Sequence, residues 1–148
     1  MAGTKRFRAI GRPREREGTR LLVTGSRYWT DSTKIYDVLV AAVEAAGGPD
    51  KLIVVQGLAR GADQIASVVA AELGCQVEGH EADWGGLGKK AGIIRNQRMM
   101  EESWRRGQAD GFLLQAGVAF HVDLANSKGT LDMVQRLEAA GIPVLKVA

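Results

Sequence analysis

Residues 57–63, GLARGAD, combine phosphate-binding residue types with the spacing of a strand-to-helix turn. The segment follows the apolar run KLIVVQ and precedes the Ala/Val-rich stretch QIASVVAAELG. Gly57 can end a strand in a tight turn, and Gly61 lets the backbone approach a ligand or a neighbouring helix closely. The first amides of the predicted helix, at about residues 61–64, then point outward as an anion site. The segment therefore predicts phosphate binding.

Two charged side chains complete this segment. Arg60 presents a planar guanidinium that can donate two parallel hydrogen bonds to phosphate oxygens. Asp63 lies in the first turn of the predicted helix, where its carboxylate either caps the helix or accepts from a ribose hydroxyl. The glycine spacing is not GxGxxG, so the segment is not a dinucleotide-binding fingerprint.

Two other segments offer the same kinds of groups, backbone amides, hydroxyls and cations. One follows the apolar run LLVT and the other opens a later predicted helix: they are Gly25, Ser26 and Arg27, and Ser127, Lys128, Gly129 and Thr130. Each has a simpler interpretation, since a Gly-Ser pair is a common turn and Ser127 or Thr130 could be an N-cap. Their joint placement at strand ends nevertheless predicts one phosphate-binding cleft.

Three aromatic residues, Tyr28, Trp29 and Trp84, lie in the loops that would surround this cleft. Each could stack on a base or pack its loop against the body of the domain. His80 and His121 lack the Cys or acidic spacing of a metal site, and no Ser-His-Asp or Cys-His pairing is recognisable. The sequence therefore predicts no catalytic residue, no metal and no cofactor.

The elements that must position these segments alternate along the chain. Apolar strands are predicted at residues 21–25, 51–55, 75–80, 110–114 and 142–147, with amphipathic helices between them. In the helix after the third strand, Ile93, Gln97, Met100 and Trp104 mark the predicted inner face. Strands that are apolar throughout and joined by helices predict a parallel sheet covered on both faces.

The expected fold is α/β, a three-layer, Rossmann-like, doubly wound sheet of about five strands in the order 3-2-1-4-5. Ligands of such sheets bind beyond the carboxyl ends of the strands, near the point where the strand order reverses. That point lies between strands one and four. The loops after strands one to four, which hold the segments above, should therefore meet there.

Charge divides the chain into a basic N-terminus and a weakly acidic remainder. Residues 1–20 hold seven Lys/Arg against two Glu, a net +5, whereas the other residues hold thirteen basic and fifteen acidic side chains, a net −2. We expect a flexible tail at 1–19 and one domain at 20–148. The tail is either a solubilising leader or an arm that contacts nucleic acid. Its cations are Lys5, Arg6, Arg8, Arg12, Arg14, Arg16 and Arg20.

Other general features are ordinary. The chain of 148 residues is 45% hydrophobic and 25% charged, as in soluble globular domains. It shows no apolar stretch long enough to span a membrane and no secretory signal, so a cytoplasmic protein is expected. The single cysteine, Cys75, is expected to be buried.

The segments VTGSRYWTD, GLARGAD, EADW…GKKAGIIRNQRMM and SKGT…AAGIPV, in this order, resemble the SLOG superfamily of Rossmann-like domains. The likeness is greatest to its YspA-like bacterial and phage group and covers residues 20–145. The DNA-processing protein DprA, which binds single-stranded DNA, has similar GSR, GLARGID and RNR segments. They correspond to Gly25–Arg27, Gly57–Asp63 and Arg95–Arg98. This resemblance implies that Arg95 and Asn96 join the ligand site.

LOG-type phosphoribohydrolases, which cleave nucleoside monophosphates, share part of the pattern. Where their motif reads PGGxGTxxE, this chain has residues 125–127 as Ala-Asn-Ser, and the catalytic glutamate falls on Met133. A thioether cannot transfer a proton. Asp132 lies one residue early, about 100° around a helix, and is shorter than glutamate. The comparison therefore disfavours LOG-like hydrolysis.

These observations predict a DprA-like protein that binds single-stranded DNA through the cleft and the basic tail. The alternative is a small nucleotide or nucleotide-derived signal, which would fill the cleft without the tail. The net −2 of the remainder argues mildly against a long DNA track. Hydrolysis ranks third, and a homodimer is expected because related domains commonly form dimers. No membrane partner is expected.

Overall fold

The computed structural model describes residues 17–148, and its core is a five-stranded parallel sheet with helices on both faces. The strands are β1 Gly18–Gly25, β2 Leu52–Gln56, β3 Gln76–Gly79, β4 Phe112–Phe120 and β5 Val144–Val147. The helices are α1 Ser32–Ala46, α2 Ala62–Glu72, the single-turn α3 Trp84–Leu87, α4 Ala91–Asp110 and α5 Gly129–Ala139. Short 3₁₀ turns lie at Pro49–Lys51, Gly88–Lys90 and Leu124–Asn126.

The order of the strands is β3-β2-β1-β4-β5, and every pair is parallel. This confirms the predicted α/β class and strand order. The chain crosses from β3 at one edge, over the sheet, to β4 beside β1, so the order reverses between β1 and β4. The carboxyl ends of these two central strands therefore lie side by side.

Two apolar cores, one on each face, hold the layers together. The face covered by α1 and α2 buries Leu21, Val23, Val54 and Phe120 with Leu39 of α1. The opposite face buries a second set, contributed by the sheet, α4 and α5: Leu22, Ile53, Val55, Met99, Met133 and Leu137. Alternate residues of β1 thus enter different cores, and both faces of the strand are buried, which explains its continuous apolar sequence.

The ends of α1 follow local capping chemistry. Asp31 accepts a hydrogen bond from the amide of Lys34 at 3.2 Å and caps the N-terminus of α1. Gly47, with φ 100°, ends it in the left-handed conformation that glycine adopts without strain. These two caps therefore define where α1 begins and where it ends.

Strand β4 is longer than predicted, because residues 115–120 belong to the sheet and not to the loop after it. The register of β4 against β1 shifts between Arg20 and Leu21, which pair with Leu114 and Ala116. Gln115 is thus an extra residue in β4, as in a β-bulge. This polar residue and Gly117 interrupt the apolar run, which is why the pattern predicted too short a strand.

The predicted inner face of α4 is only partly correct: Met100 packs, half-buried, against the second core, but Ile93, Gln97 and Trp104 are exposed. Ile93 is 40% and Trp104 56% exposed, whereas the buried residues of α4 are Ala91, Asn96, Met99, Ser103 and Gly107. Small and polar residues permit a close approach: a Cβ on Gly107 would lie 2.9 Å from the carbonyl oxygen of Phe112. A prediction from hydrophobic periodicity looks for apolar side chains, so it does not recognise a buried face made of small and polar residues.

Two other expectations concern the limits of the domain and its cysteine. Strand β1 begins at Gly18, so it includes Gly18 and Thr19, which the sequence assigned to the tail. Cys75 is buried and free, as expected, and burial raises the pKa of its thiol. None of the helices among the described residues has the length and apolar character needed to cross a bilayer.

Candidate functional site

The loops after β1 and β2 are in direct contact at the carboxyl edge of the sheet. The amide of Ala62, the first residue of α2, donates to the carbonyl of Ser26 at 3.1 Å, and the amide of Ser26 donates to Phe120 at 2.9 Å. A Cβ on Gly61 would lie 2.6 Å from the carbonyl carbon of Arg27. Gly61 is therefore required by the contact between the two loops, as well as by its φ of 73°.

The GLARGAD turn has a conformation that the sequence did not reveal. Leu58 has φ 59°, an uncommon value for a residue with a branched side chain, and it is 55% exposed. Its amide donates to the side chain of Gln56, which in turn donates to Ser67 of α2 at 2.8 Å. Gln56 is a positioning residue that sequence reasoning missed, although a glutamine closing the apolar run KLIVVQ was a visible signal.

Asp63 lies beneath this turn and holds it from within. One of its carboxylate oxygens, Oδ2, accepts hydrogen bonds from the amides of Gly57 at 3.1 Å and Ala59 at 3.3 Å. The N-cap of α2 is Gly61, so Asp63 does not cap the helix as predicted. The capping role predicted for Asp63 is therefore wrong. Asp63 is 5% exposed, and its contact with a ribose hydroxyl stays a prediction.

Arg95 of α4 holds the same turn from the other side. Its Nη1 donates to the carbonyl oxygen of Gly57 and, at 3.3 Å, to that of His80. A Cβ on Gly57 would collide with this guanidinium, so a larger residue there would displace the Arg95 side chain from the turn. Gly57 follows β2 directly, as predicted, but its φ is not positive. Nη1 of Arg95, which was predicted to donate to phosphate, thus donates to backbone carbonyls of the protein.

Asn96 links this region to the start of α5. Its side chain accepts from Nε of Arg95 at 3.1 Å and donates to the carbonyl of Gly129 and to Asp132, both at 3.1 Å. Asn96 is 3% exposed, so its amide group is committed to this bridge. The loop after β2 and the N-terminus of α5 are therefore joined through α4. Asn96, which was predicted to bind the ligand, holds these elements together by hydrogen bonds.

The segment before α5 combines a side-chain hydrogen bond with free groups. The hydroxyl of Ser127 accepts from the amide of Leu131 at 3.0 Å, but the N-cap of α5 is Lys128, so neither Ser127 nor Thr130 is the N-cap that the sequence allowed. Thr130 is 7% exposed, whereas Lys128 and Gly129 are exposed. The amides of Gly129 and Thr130, in the first turn of α5, have no acceptor within their own helix.

The groups that remain available to a ligand come from both helix starts. At α2 they are the amides of Asp63 and Gln64, which the helix itself cannot satisfy. Arg27 and Arg60 are exposed beside them, and Ser26 and Gly25 are half-buried. The arrangement offers amide donors and guanidinium groups for an anion, with the turn itself fixed from below by Asp63 and Arg95.

Burial controls the ionisation of the groups beneath the turn. Removal from water raises the pKa of Asp63 to about 6, although the amides of Ala59 and Gly57 and the charge of Arg95 oppose the shift. Burial lowers the pKa of the Arg95 guanidinium, against the attraction of Asp63. Burial, followed by the charge of Arg106, lowers the pKa of His80. These groups therefore lie in a poorly hydrated layer under the site.

The three aromatic candidates have different environments. Tyr28 is 81% exposed next to Arg27, and Trp84 is 56% exposed on α3. Trp29 is 6% exposed and packs against Phe120, with ring centroids 5.5 Å apart, while its Nε1 donates to the carbonyl of Asp31. Trp29 is thus a core residue, which favours packing of its loop over base stacking, the two alternatives left open by the sequence.

Arg20 also differs from its prediction as a nucleic-acid contact of the tail. It lies in β1, is 1% exposed, and all five of its N–H groups are satisfied by Glu78, Asp110 and the carbonyl of Phe112. Its guanidinium is therefore structural. The remaining predicted tail contacts lie outside the described residues: Lys5, Arg6, Arg8, Arg12, Arg14 and Arg16.

Neither position that could supply the catalytic acid of a LOG-type hydrolase holds an unbonded carboxyl group. Met133, at the glutamate position of LOG enzymes, is 0% exposed in the core beneath α5. Asp132 accepts from Asn96 at 3.1 Å and from Nε of Arg136 at 2.9 Å. Within residues 17–148, no three His, Cys, Asp or Glu side chains are grouped so that they could hold a metal ion.

Comparisons with known proteins agree with this architecture. The family model for the YspA, cpYpsA-related SLOG family matches residues 19–85, which include β1 and the GLARGAD turn. The Gene 61 protein of Mycobacterium phage D29 is 41% identical over 133 residues, covering 85% of this chain and 94% of the phage protein. No solved structure matches the chain significantly. The chain therefore belongs to the YspA, cpYpsA-related SLOG family.

Proposed function

We propose that this protein binds single-stranded DNA at the carboxyl edge of its sheet, assisted by its basic N-terminal segment. Family membership indicates a nucleotide-related ligand in general terms. The observation that carries the proposal is the contact between the loops after β1 and β2, which places the exposed Arg27 and Arg60 beside the first amides of α2. Amides at a helix start and guanidinium groups are the usual donors to phosphate.

The choice of a polynucleotide is supported by the exposed aromatic residue and by the resemblance to DprA. Tyr28 adjoins Arg27 and is 81% exposed, so its ring is available to a base while Arg27 binds a phosphate. The DprA-like segments of the sequence, GSR and GLARGAD, form the two loops that touch. In this proposal the cleft holds one or a few nucleotides, and the N-terminal segment binds the strand beyond them.

A small nucleotide or nucleotide-derived signal is the second candidate. It is favoured by the charge of the described part, since residues 17–148 carry fourteen Lys/Arg against sixteen Asp/Glu. A net −2 offers little attraction for a long strand without the basic residues before it. The two ligands differ in their dependence on that segment, because a mononucleotide would need only the cleft.

Hydrolysis of nucleoside monophosphates has less support. An acid at the position of Met133 would be buried in the second core, and Asp132 is already bonded to Asn96 and Arg136. We therefore expect no protein-dependent free base when AMP, GMP or CMP is incubated with the protein and analysed by chromatography. Turnover of about 1 per second or faster, ordinary for an enzyme, would contradict this.

Fluorescence anisotropy with a labelled oligonucleotide across a salt series tests the DNA proposal. For single strands, log K falls with log salt by roughly 0.7 per phosphate neutralised, so about five N-terminal contacts contribute a slope near −3.5. Deletion of residues 2–16 removes these cations while leaving β1 intact, and should flatten the slope and weaken binding. An unchanged slope would show that the N-terminal segment does not contribute to DNA binding. Absence of binding at low salt would refute the DNA proposal.

Competition with unlabelled AMP and GMP distinguishes the second candidate. If a mononucleotide binds where the oligonucleotide does not, the cleft is specific for a small ligand, whereas displacement of a bound oligonucleotide shows only that both ligands use the cleft. Truncation should leave the affinity of such a ligand unchanged. The proposed homodimer is tested separately by light scattering, with a mass of twice 15.9 kDa expected for the full chain.

A further inference from the structure

The carboxylate of Asp63 is incompletely satisfied by the fold. Oδ2 accepts the amides of Gly57 and Ala59, but Oδ1 has no hydrogen-bond partner among the described residues and is buried. The whole residue is 5% exposed, so water does not supply the missing bond freely. A buried carboxylate oxygen without a donor is costly in its ionised form, and much less so when it carries a proton.

The surroundings provide no direct counterion. Arg95 of α4 acts on Asp63 through its charge, but its Nη1 and Nε are bonded to Gly57, His80 and Asn96, and no ion pair joins it to Asp63 in the described part of the chain. The other ionisable groups at this edge include His80, which follows β3 and lies 3.9 Å from Glu102, and the exposed Arg27, Arg60 and Lys128. Asp132 of α5 reaches the edge through its bond to Asn96. Asp63 is therefore a buried acid whose charge is only partly compensated.

We propose that binding of a phosphate group at the N-terminus of α2 is coupled to uptake of a proton by Asp63. The inference rests on the phosphate site proposed above. A phosphate on the amides of Asp63 and Gln64 would lie within one helical turn of the Asp63 carboxylate, and the two negative charges repel because the carboxylate is buried away from water. A proton on Oδ1 removes the repulsion, leaving Oδ2 as the acceptor that holds the turn.

The direction of the resulting pH dependence follows from the state of the free protein. Burial raises the pKa of Asp63 to about 6, so the carboxyl is mostly ionised at pH 7.5 and mostly neutral at pH 5. An anion binds more readily to the neutral form, so its affinity should rise as the pH falls. The change can reach about tenfold per pH unit if one proton is taken up per anion bound.

The test uses a ligand whose own charge does not change. Labelled dT12 without terminal phosphates contains only phosphodiesters, which avoids the second ionisation of a phosphomonoester near pH 6. Anisotropy is measured from pH 5 to pH 8 at constant ionic strength. We expect binding about tenfold stronger at pH 5.5 than at pH 7.5. Asp63→Asn should bind with nearly the same affinity at both.

Two matched variants identify the titrating group. Arg60→Ala should weaken binding at every pH and keep the ratio between pH 5.5 and pH 7.5, because it leaves Asp63 unchanged. His80→Gln should also keep that ratio. If Asp63→Asn retains the full pH dependence and His80→Gln loses it, the histidine is the coupled group and the proposal is wrong.

The proposal is also testable without DNA binding and without a variant. If the protein does not bind dT12 at any pH, the proposed DNA function fails. Thermal stabilisation by sulfate, whose charge is constant over this range, then measures the coupling: greater stabilisation at pH 5.5 than at pH 7.5 supports it, and equal stabilisation refutes it. If Asp63→Asn does not fold, titration calorimetry of the unmodified protein with sulfate, in buffers of different ionisation enthalpy, measures the number of protons taken up per anion bound. A number near zero overturns the proposal.

Discussion

Two arginines, the buried Arg20 and the half-buried Arg95, occupy the same domain in opposite electrostatic situations. Arg20 is bonded bidentately to Glu78, at 2.8 and 2.9 Å, and to Asp110 at the same distances. Hydrogen bonding to Glu78 raises the pKa of Arg20 above its ordinary value, despite burial. Arg95 instead donates to the carbonyls of Gly57 and His80, and burial lowers its pKa.

The difference separates a structural charge from a charge at a binding site. Around Arg20, the charges of two carboxylates compensate the guanidinium, and Arg106 adds a further contact to Glu78 at 3.5 Å. Beneath the GLARGAD turn, the half-buried Arg95 and the buried Asp63 form no ion pair with each other in the described part of the chain. Compensated charge fixes the packing of the sheet, whereas uncompensated charge remains responsive to an arriving ligand.

Removal of Arg20 should have the largest effect on stability. Arg20→Met leaves the nearly buried Glu78 and its neighbour Asp110 without their shared cation, and we expect a loss of about 3 to 5 kcal/mol in the free energy of unfolding. Urea denaturation monitored by circular dichroism measures it. Arg27→Met, an exposed arginine, is the control and should change stability by less than about 0.5 kcal/mol. A loss below about 1 kcal/mol for Arg20→Met would show that the ion pairs are not structural.

Neutralising Asp63 should change stability in the opposite direction. Its pKa is about 6 in the folded protein, against an ordinary value of 3.8, so the folded state holds the proton more tightly than the unfolded chain does. The stability contributed by this proton is present below pH 4 and is lost as the pH rises to 6. Asp63→Asn should therefore stabilise the ligand-free protein by roughly 2 to 3 kcal/mol at pH 7.5 and by little at pH 4. Thermal melts at the two pH values measure this, and a variant destabilised at both would contradict it.

Removal of Arg95 should affect binding more than stability. Arg95→Met leaves the carbonyls of Gly57 and His80 without a donor, a loss of about 2 kcal/mol in the free energy of unfolding, smaller than that for Arg20→Met. Because the turn then loses its support, affinity for an oligonucleotide should fall by more than the one phosphate contact that exposed Arg60→Ala removes. Equal affinities for the two variants would mean that Arg95 does not position the turn.

Exposed residues of the site should have the smallest effect on stability. Tyr28→Ala and Arg60→Ala are expected to change the free energy of unfolding by less than about 0.5 kcal/mol. Loss of base stacking at Tyr28 should weaken oligonucleotide binding by about 1 to 3 kcal/mol. Trp29→Ala is the matched control, since this buried neighbour should destabilise the protein by about 3 kcal/mol or more. Denaturation and anisotropy on the same three proteins separate the two roles.

The fold followed from local signals that act over a few residues. Continuous apolar runs predicted buried parallel strands, and the alternation with helices predicted the strand order that the structure shows. The error in β4 arose where Gln115 and Gly117 interrupt the run, and the error in α4 arose because its buried face contains Asn96, Ser103 and Gly107. Both elements are positioned by neighbours distant in sequence, which hydrophobic periodicity does not represent.

The sequence by itself determined the location of the candidate site, because glycines and polar residues at the ends of parallel strands must meet at one edge of the sheet. Only the tertiary structure decided which of those residues face outward. Arg95, Asn96 and Asp63 are directed into the domain by bonds to Gly57, Gly129 and Ala59, whereas Arg27 and Arg60 remain exposed. Residue type specifies which hydrogen bonds a side chain can form, but the availability of its partners depends on segments that come together only when the sheet and helices pack.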